Sequence, residues 1–334
     1  MTKVDIISGF LGAGKTTFIK KLIDQVFTGE KLVLIENEFG EIGIDGGFLK
    51  DAGIEITEMN SGCICCTLVG DFSKALQKVL AEYQPDRVII EPSGVGKLSD
   101  IVRAIEDVKK DAEIEIDGRI TVVDGKKAKL YLKNFGEFFE DQVKHASTIV
   151  VSRTQMMTDE KVEECIHMLR DENADAAIIS TPWEQLSKDA IWHALEHGAE
   201  IEGLLEEEHD HHHDHEECCE HDHHHHDHEG CCEHDHHHHH HHADDVFTSW
   251  GKETAHKYTE EELDFLVKAL SETDSYGTIL RSKGIIPMTD GTWKQFDLVP
   301  EEYEVRDGQA DYTGRVCVIG TDLKEDELLK LFHI

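Results

Sequence analysis

Basic residues are scarce in this chain. Its 334 residues carry 33 Lys and Arg against 70 Asp and Glu, a formal net charge of −37. No Lys or Arg occurs from Asp189 through Gly251. Proteins that hold nucleic acid present basic patches to phosphate backbones, and this charge balance argues against such a partner. Long apolar runs are also missing. No stretch approaches the ~20 apolar residues that a bilayer-spanning helix needs, so no membrane partner is expected. The N-terminus lacks the charged start and apolar core of a secretory leader, which makes the cytoplasm the expected location. Hydrophobic content of 39% suits a soluble globular protein. The chain is long for one core, and two domains are expected.

What is present begins at Gly9. Gly9-Phe-Leu-Gly12-Ala13-Gly14-Lys15-Thr16 fits G-x-x-x-x-G-K-[ST] and follows the apolar run Val4-Ile7. Phe18, Ile19, Leu22, Ile23 and Val26 then give an amphipathic helix. Strand, glycine-rich loop and helix together make a cup of backbone N–H groups for a polyphosphate. Gly9, Gly12, Ala13, Gly14, Lys15, Thr16 and Thr17 are the phosphate-binding candidates. Lys15 would reach the β and γ phosphates, and the Thr16 hydroxyl would hold Mg²⁺.

Strand-like and helix-like segments alternate over the first two hundred residues. Strands are expected at 4–7, 32–35, 55–58, 87–90, 120–123, 148–151 and 177–179. Helices are expected at 17–26, 72–83, 98–108, 159–171 and 184–197. This pattern predicts an α/β fold, a P-loop NTPase with a mostly parallel sheet and helices on both faces. From about Val246 a small C-terminal α+β domain is expected. A capping box at Thr259-Glu262 opens a helix, strands lie near 277–281, 293–298, 303–306 and 315–319, and 323–332 forms a final helix. The expected division is 1–203, a linker at 204–245, and 246–334.

The linker is unlike the rest. Nineteen of the 25 His fall between His209 and His242. A 13-residue unit, Asp214–His226, repeats as Asp227–His239 with one difference, Glu217 against Gly230. Too few apolar residues occur here to build a core. Imidazoles, acids and the pairs Cys218-Cys219 and Cys231-Cys232 suit Zn²⁺, Ni²⁺, Co²⁺ or copper, bound with little selectivity. A purification tag is the dull alternative, against which the internal position and the repeat argue.

Three more cysteines cluster at Gly62-Cys63-Ile64-Cys65-Cys66. Thiols this close can converge on one soft or borderline cation. Cys165 and Cys317 stand alone in apolar settings and are expected in the core. The acidic, glycine-rich stretch Glu36–Gly47, which includes Glu38 and Glu41, suits a loop ordered by a triphosphate and released on hydrolysis. Val88-Ile-Ile-Glu91-Pro-Ser-Gly94 ends an apolar strand on an acid. Glu91 suits the Mg²⁺ shell or the attacking water, and Gly94 the γ-phosphate. Lys15, Glu91 and Glu38 are the catalytic candidates.

These pieces, with Arg281-Ser-Lys-Gly284 near the C-terminus, resemble the CobW family of P-loop GTPases, metal insertases and metallochaperones related to nickel chaperones for urease and hydrogenase. The resemblance implies GTP with Mg²⁺ and a transition-metal cargo, Zn²⁺ first, with Co²⁺ or Ni²⁺ as alternatives. It implies a cargo site at Cys63, Cys65 and Cys66, and a further surface site from Glu36 and Glu41 with Cys65. The guanine-reading segment falls at Ser152-Arg153-Thr154-Gln155, where Arg and Gln replace the family's Lys and Asp. A Gln amide offers one acceptor and a donor where a carboxylate accepts both guanine N–H groups, which leaves ATP open.

The expected function is therefore a GTP-hydrolysing metallochaperone. It would deliver metal to a client metalloprotein or to an enzyme of metal-cofactor (cobalamin-type) biosynthesis, with the His tract collecting ions and a homodimer possible. A metal store with a regulatory NTPase, and a small-molecule kinase, are the competing readings.

Overall fold

A computed structural model of the chain describes residues 1–37, 55–59, 69–195, 246–311 and 313–334. Seven strands form one sheet: β1 (Thr2–Ser8), β2 (Leu32–Asn37), β3 (Glu55–Met59), β4 (Arg87–Glu91), β5 (Ile114–Asp124), β6 (Thr148–Ser152) and β7 (Ala177–Ile179). Their order is β3-β2-β4-β1-β5-β6-β7, and every neighbouring pair is parallel. The chain leaves β1 to build one half of the sheet and returns beside it at β5. β1 is thus the switch point, where ligands of such sheets bind beyond the strand ends.

Side-chain alternation explains the layers. Val4 and Ile6, Val33 and Ile35, Val88 and Ile90, and Ile149 and Val151 join one apolar cluster. Ile7, Leu34, Ile89 and Val150, each one residue out of step, join another. With a period of two, these sets lie on opposite faces. The first face is covered by α2 (Val69–Tyr83), α3 (Leu98–Lys109), α4 (Ala128–Lys144) and α5 (Asp159–Glu172). The second is covered by α1 (Lys15–Lys21), its π-turn continuation Leu22–Val26, and Leu186 and Ile191 from a later segment. The expected strands and the helices on both faces are observed.

Three departures have local causes. The helix expected at 184–197 is instead a 3₁₀ turn, Trp183–Gln185, then a helix from 188. Ser187 Oγ accepts from Ala190 N at 3.2 Å and so caps the later start. Helix α4 is not announced by patterning, because Phe135 (φ −137°, ψ 35°) breaks its regular turn beside Gly136. The first C-terminal strand, β8 (Thr248–Thr254), buries only Trp250 and Thr254 and carries little alternation.

β8 pairs into a second, antiparallel sheet of order β11-β10-β9-β12-β8. Its other strands are β9 (Thr278–Pro287), β10 (Trp293–Val299), β11 (Glu302–Asp307) and β12 (Gly314–Thr321). Two helices, α6 (Glu260–Glu272) and α7 (Glu325–Leu331), bury Leu263, Leu266, Leu270 and Leu328 against it. The capping box of α6 forms as expected, with Thr259 and Glu262 reciprocally bonded. Leu280, Cys317, Ile319 and Phe247 belong instead to the first domain's cluster. Phe247 packs on Phe10, Phe135 and Phe138. The two sheets thus share one core at their junction. Cys165 and Cys317 are both buried and unbridged.

Candidate functional site

The loop after β1 is shaped by what lies around it. At Gly9 (φ 141°) a Cβ would stand 2.2 Å from Val122 O, so only glycine lets the loop cross the end of β5. At Gly12 (φ 70°) a Cβ would stand 2.4 Å from Val299 Cγ1, a side chain of the second sheet. Ala13 N donates to Phe10 O at 3.2 Å, and Phe18 N donates to Gly14 O at 3.0 Å as α1 begins. Lys15 is buried, and its Nζ donates to Gly9 O (3.0 Å) and Phe10 O (3.4 Å), holding the ammonium against the loop.

Thr16 Oγ1 donates to the Glu91 carboxylate, at 3.1 Å to Oε1 and 3.3 Å to Oε2. Glu36, also buried, is the register partner of Glu91 on the adjacent strand β2. Hydroxyl and carboxylate oxygens converging at a helix start fit a hard cation such as Mg²⁺. Thr17 turns to solvent. Gly94 is buried beyond β4. Its carbonyl and that of Gly96 accept from Gln142 Nε2, at 3.3 and 2.8 Å.

The segment after β6 meets the same loop from the other side. Ser152 is buried, and its Oγ donates to Val123 O at 3.3 Å. Arg153 takes a left-handed backbone (φ 61°). Its guanidinium pairs with Asp124, donates to Gly12 O at 3.3 Å, and reaches Glu302 of β11 at 2.8 Å. Gln155 is exposed in the 3₁₀ turn that follows. Burial pushes the Asp124 carboxyl up against the opposing pull of Arg153 and Lys127. Burial also pulls the Lys127 ammonium down against Glu302 and Asp124. Lys127 Nζ is fixed to Pro300 O at 2.6 Å.

The structure therefore gathers Gly9, Gly12, Gly14, Lys15, Thr16, Glu36, Glu91, Gly94 and Arg153 at the carboxyl end of one sheet. Glu38, Glu41, Cys63, Cys65, Cys66, Cys218, Cys219, Cys231 and Cys232 lie outside the described residues. Three residues at this end escape sequence reasoning. Gln142 belongs to α4, which patterning does not reveal. Glu302 arrives from a distant hairpin with no local signal. Trp183 packs on Phe18 at 5.4 Å, donates Nε1–H to Val151 O at 3.2 Å, and stands beside Gly14. Its position just past β7 is the one readable signal, because strand ends line the site.

Comparison with known proteins agrees with this geometry. The CobW/HypB/UreG nucleotide-binding domain matches residues 3–180, and the cobalamin synthesis protein CobW C-terminal domain matches residues 247–333. A zinc chaperone CobW from Sinorhizobium is 36% identical over 182 residues, covering 46% of this chain and 51% of that protein. The zinc chaperone YeiR of Escherichia coli is 31% identical over 179 residues, covering 54% and 55%. Zinc-regulated GTPase metalloprotein activator 1 of Schizosaccharomyces pombe is 25% identical over 328 residues, covering 90% and 76%. The chain spans about half the length of the first two of these relatives. With its nucleotide-binding domain matched from end to end of the parallel sheet, the chain belongs to the CobW/HypB/UreG family.

Proposed function

We propose that this protein is a GTPase metallochaperone of the cytoplasm. It binds a transition metal as cargo, Zn²⁺ before Co²⁺ or Ni²⁺, and hands it to a client metalloprotein or to an enzyme of metal-cofactor synthesis. The observation that carries the reading is the convergence of Thr16 and Glu91 beside Glu36, with Lys15 held over the loop. That arrangement suits a triphosphate with Mg²⁺, and the reading is supported by relatives of this chain that are named zinc chaperones.

On this reading the backbone N–H groups of Gly12, Ala13, Gly14 and Lys15 cradle the phosphates, with Thr16 and Thr17 behind them. Lys15 exchanges its carbonyl contacts for phosphate oxygens. Thr16 and Glu91 would hold Mg²⁺, which neutralises charge on the terminal phosphates when bound. Glu38 or Glu91 orients the attacking water, and Gly94 offers its N–H to the γ-phosphate. Ser152, Arg153 and Gln155 flank the base.

The cargo is held by Cys63, Cys65 and Cys66, with Glu36 and Glu41 available at its edge. Glu36 stands one strand from Glu91, so the stretch that begins there links the terminal phosphate to the cargo ligands. The coupling is reciprocal: GTP tightens metal binding as much as metal tightens GTP. The tract with Cys218, Cys219, Cys231 and Cys232 collects ions. The chain divides functionally into 1–203, 204–245 and 246–334.

The test is a metal titration of the full chain at clamped free Zn²⁺, with GTP, GDP or neither. A single tight site strengthened by GTP and weakened by Cys65→Ser supports the reading. Lys15→Ala removes turnover and that linkage while leaving bulk capacity. Metal affinity indifferent to the nucleotide would overturn the chaperone reading in favour of a metal store.

A further inference from the structure

Away from the nucleotide end, the second sheet domain brings a side chain near the end of the chain against two that lie close together in sequence. His256 stands in the turn between β8 and α6, Glu262 in the first turn of α6, and His333 just past α7. Glu262 Oε1 lies 3.6 Å from His256 Nε2 and 3.9 Å from His333 Nε2. One ligand atom from each of the three falls within 4.8 Å of the others.

We propose that His256, Glu262 and His333 form a binding site for Zn²⁺ or a similar borderline divalent cation. This site shares no residue with the P-loop, the Cys63–Cys66 turn or the His tract.

The spacing fits the ion better than it fits direct pairing. At 3.6 and 3.9 Å the carboxylate–imidazole contacts are too long for hydrogen bonds. Tetrahedral zinc with bonds of about 2.0–2.1 Å sets its ligand atoms about 3.3 Å apart, so closing each carboxylate–imidazole pair takes only about half an ångström. The donor set also fits, because two imidazoles and one carboxylate are ordinary zinc ligands.

Each ligand is held in place by a separate device. His256 Nε2 is shut off from solvent without a hydrogen-bond partner, an expensive state for a ring nitrogen and one that ligation relieves. Its ring is braced edge-on by Tyr258, with centroids 4.7 Å apart at 87°. Glu262 spends its other oxygen on the capping box: Oε2 accepts from Thr259 N at 2.8 Å and Thr259 Oγ1 at 3.1 Å. Oε1 is thereby turned toward the histidines. Tyr258 Oη donates to Phe332 O at 2.7 Å, which ties the last turn of the chain to the His256 loop. His333 follows in a left-handed backbone (φ 55°) that side-chain-bearing residues seldom adopt.

The two imidazoles now stack, with centroids 4.4 Å apart at 25°. An ion lies in the plane of each ligating ring, so one ring must turn. His333 is half-exposed and does the turning, while His256, less exposed and braced by Tyr258, stays fixed. Three protein ligands leave one position for water or an incoming ligand. That open position marks an exchangeable ion rather than a purely structural one.

The experiment reads His333 itself, so metal elsewhere on the chain does not confuse it. The full chain is modified with diethylpyrocarbonate at free Zn²⁺ clamped by a metal buffer, and labelled peptides are quantified by mass spectrometry. Rising free Zn²⁺ should suppress His333 labelling. Glu262→Gln, which keeps the capping box because Gln serves equally at that position, should move the midpoint of protection to at least about tenfold higher free Zn²⁺. His256→Asn should move it the same way. His333 labelling that ignores Zn²⁺ while tract histidines become protected overturns the site. So does protection that persists unchanged in both variants, because it would show His333 binding metal alone.

Discussion

Arg153 and Glu302 lie 2.8 Å apart, joining the loop after β6 to the first residue of β11. The same guanidinium reaches Gly12 O in the phosphate loop. One side chain thus touches the P-loop, the end of β5 through Asp124, and the second sheet. Glu302 also meets Lys126 at 2.9 Å and Lys127 at 3.9 Å. Burial works to raise the Glu302 carboxyl, but the Lys126 hydrogen bond and the charges of Arg153 and Lys127 outweigh it and hold it below its ordinary range. A depressed acid contributes stability above its unfolded value and loses it as pH falls through the folded one. Glu302→Gln should therefore cost about 1 kcal/mol at neutral pH and low salt, with the cost shrinking in high salt. At pH well below 4.5 the variant and parent should converge. Urea denaturation across salt and pH measures both trends.

Phe247 is the apolar counterpart of that ion pair. Its ring centroid lies 5.0 Å from Phe138, 5.6 Å from Phe135 and 6.2 Å from Phe10, which is itself a P-loop residue. Phe247→Ala should destabilise by about 3–5 kcal/mol through transfer and cavity terms. It should also weaken nucleotide binding, because Phe10 loses a supporting ring. Phe247→Leu should recover most of both. Loss of stability with nucleotide affinity intact would show that the junction and the P-loop are not coupled.

The sheet was readable in sequence because its strands are buried on both faces and read as near-continuous apolar runs. Val4-Ile7 and Arg87-Ile90 announce themselves this way, and the glycine spacing from Gly9 to Gly14 marks the loop between strand and helix. What sequence hides is the junction. Glu302 and Val299 come from a hairpin whose partners are far away in the chain, and no local pattern signals that they meet Arg153 and Gly12. Helix α4 is obscured by the break at Phe135, and with it goes Gln142, which fixes the Gly94 loop. His333 is likewise joined to His256 and Glu262 only by tertiary folding. Each alone reads as an ordinary surface residue.

Arg87 anchors the amino end of the same sheet. It is 1% exposed and pairs with Asp5, with Glu30 at 2.6 Å and with Asp117 at 2.8 Å, while its guanidinium stacks 4.0 Å from the Phe27 ring. Arg87→Ala leaves Asp5 buried without its cation, and should cost about 3–5 kcal/mol. Arg87→Met combined with Asp5→Leu removes both charges and fills the space. The double variant should recover much of that loss, and a double variant no better than Arg87→Ala would disprove the account.

Cys165 is buried in α5, and burial together with the Asp124 charge pushes its thiol up to about 11. Thiolate is the reactive species, so this cysteine should resist alkylation. Iodoacetamide at pH 8 should leave the Cys165 peptide unmodified in folded protein and label it fully in urea. Rapid labelling of the native chain would place α5 wrongly against the sheet.

Gln155 stands exposed in the turn after β6, next to Arg153, whose guanidinium bonds the P-loop. If this turn flanks the base, the residue at 155 decides how well guanine is told from its analogues. The Gln amide can accept one guanine N–H while its own NH₂ faces the second donor without a match. Gln155→Asp supplies two acceptor oxygens and a charge, and charge-assisted hydrogen bonds are roughly twice as strong as neutral ones. The substitution should tighten GTP by roughly tenfold or more and leave ATP unchanged or weaker. Inosine triphosphate, which lacks the 2-amino group, isolates the second bond. The GTP-to-inosine preference should grow with the GTP-to-ATP preference in the Asp variant. Competition binding against a fluorescent nucleotide measures all three affinities. Equal tightening of every nucleotide would mean that residue 155 acts through the fold of the turn, and that the base is read elsewhere.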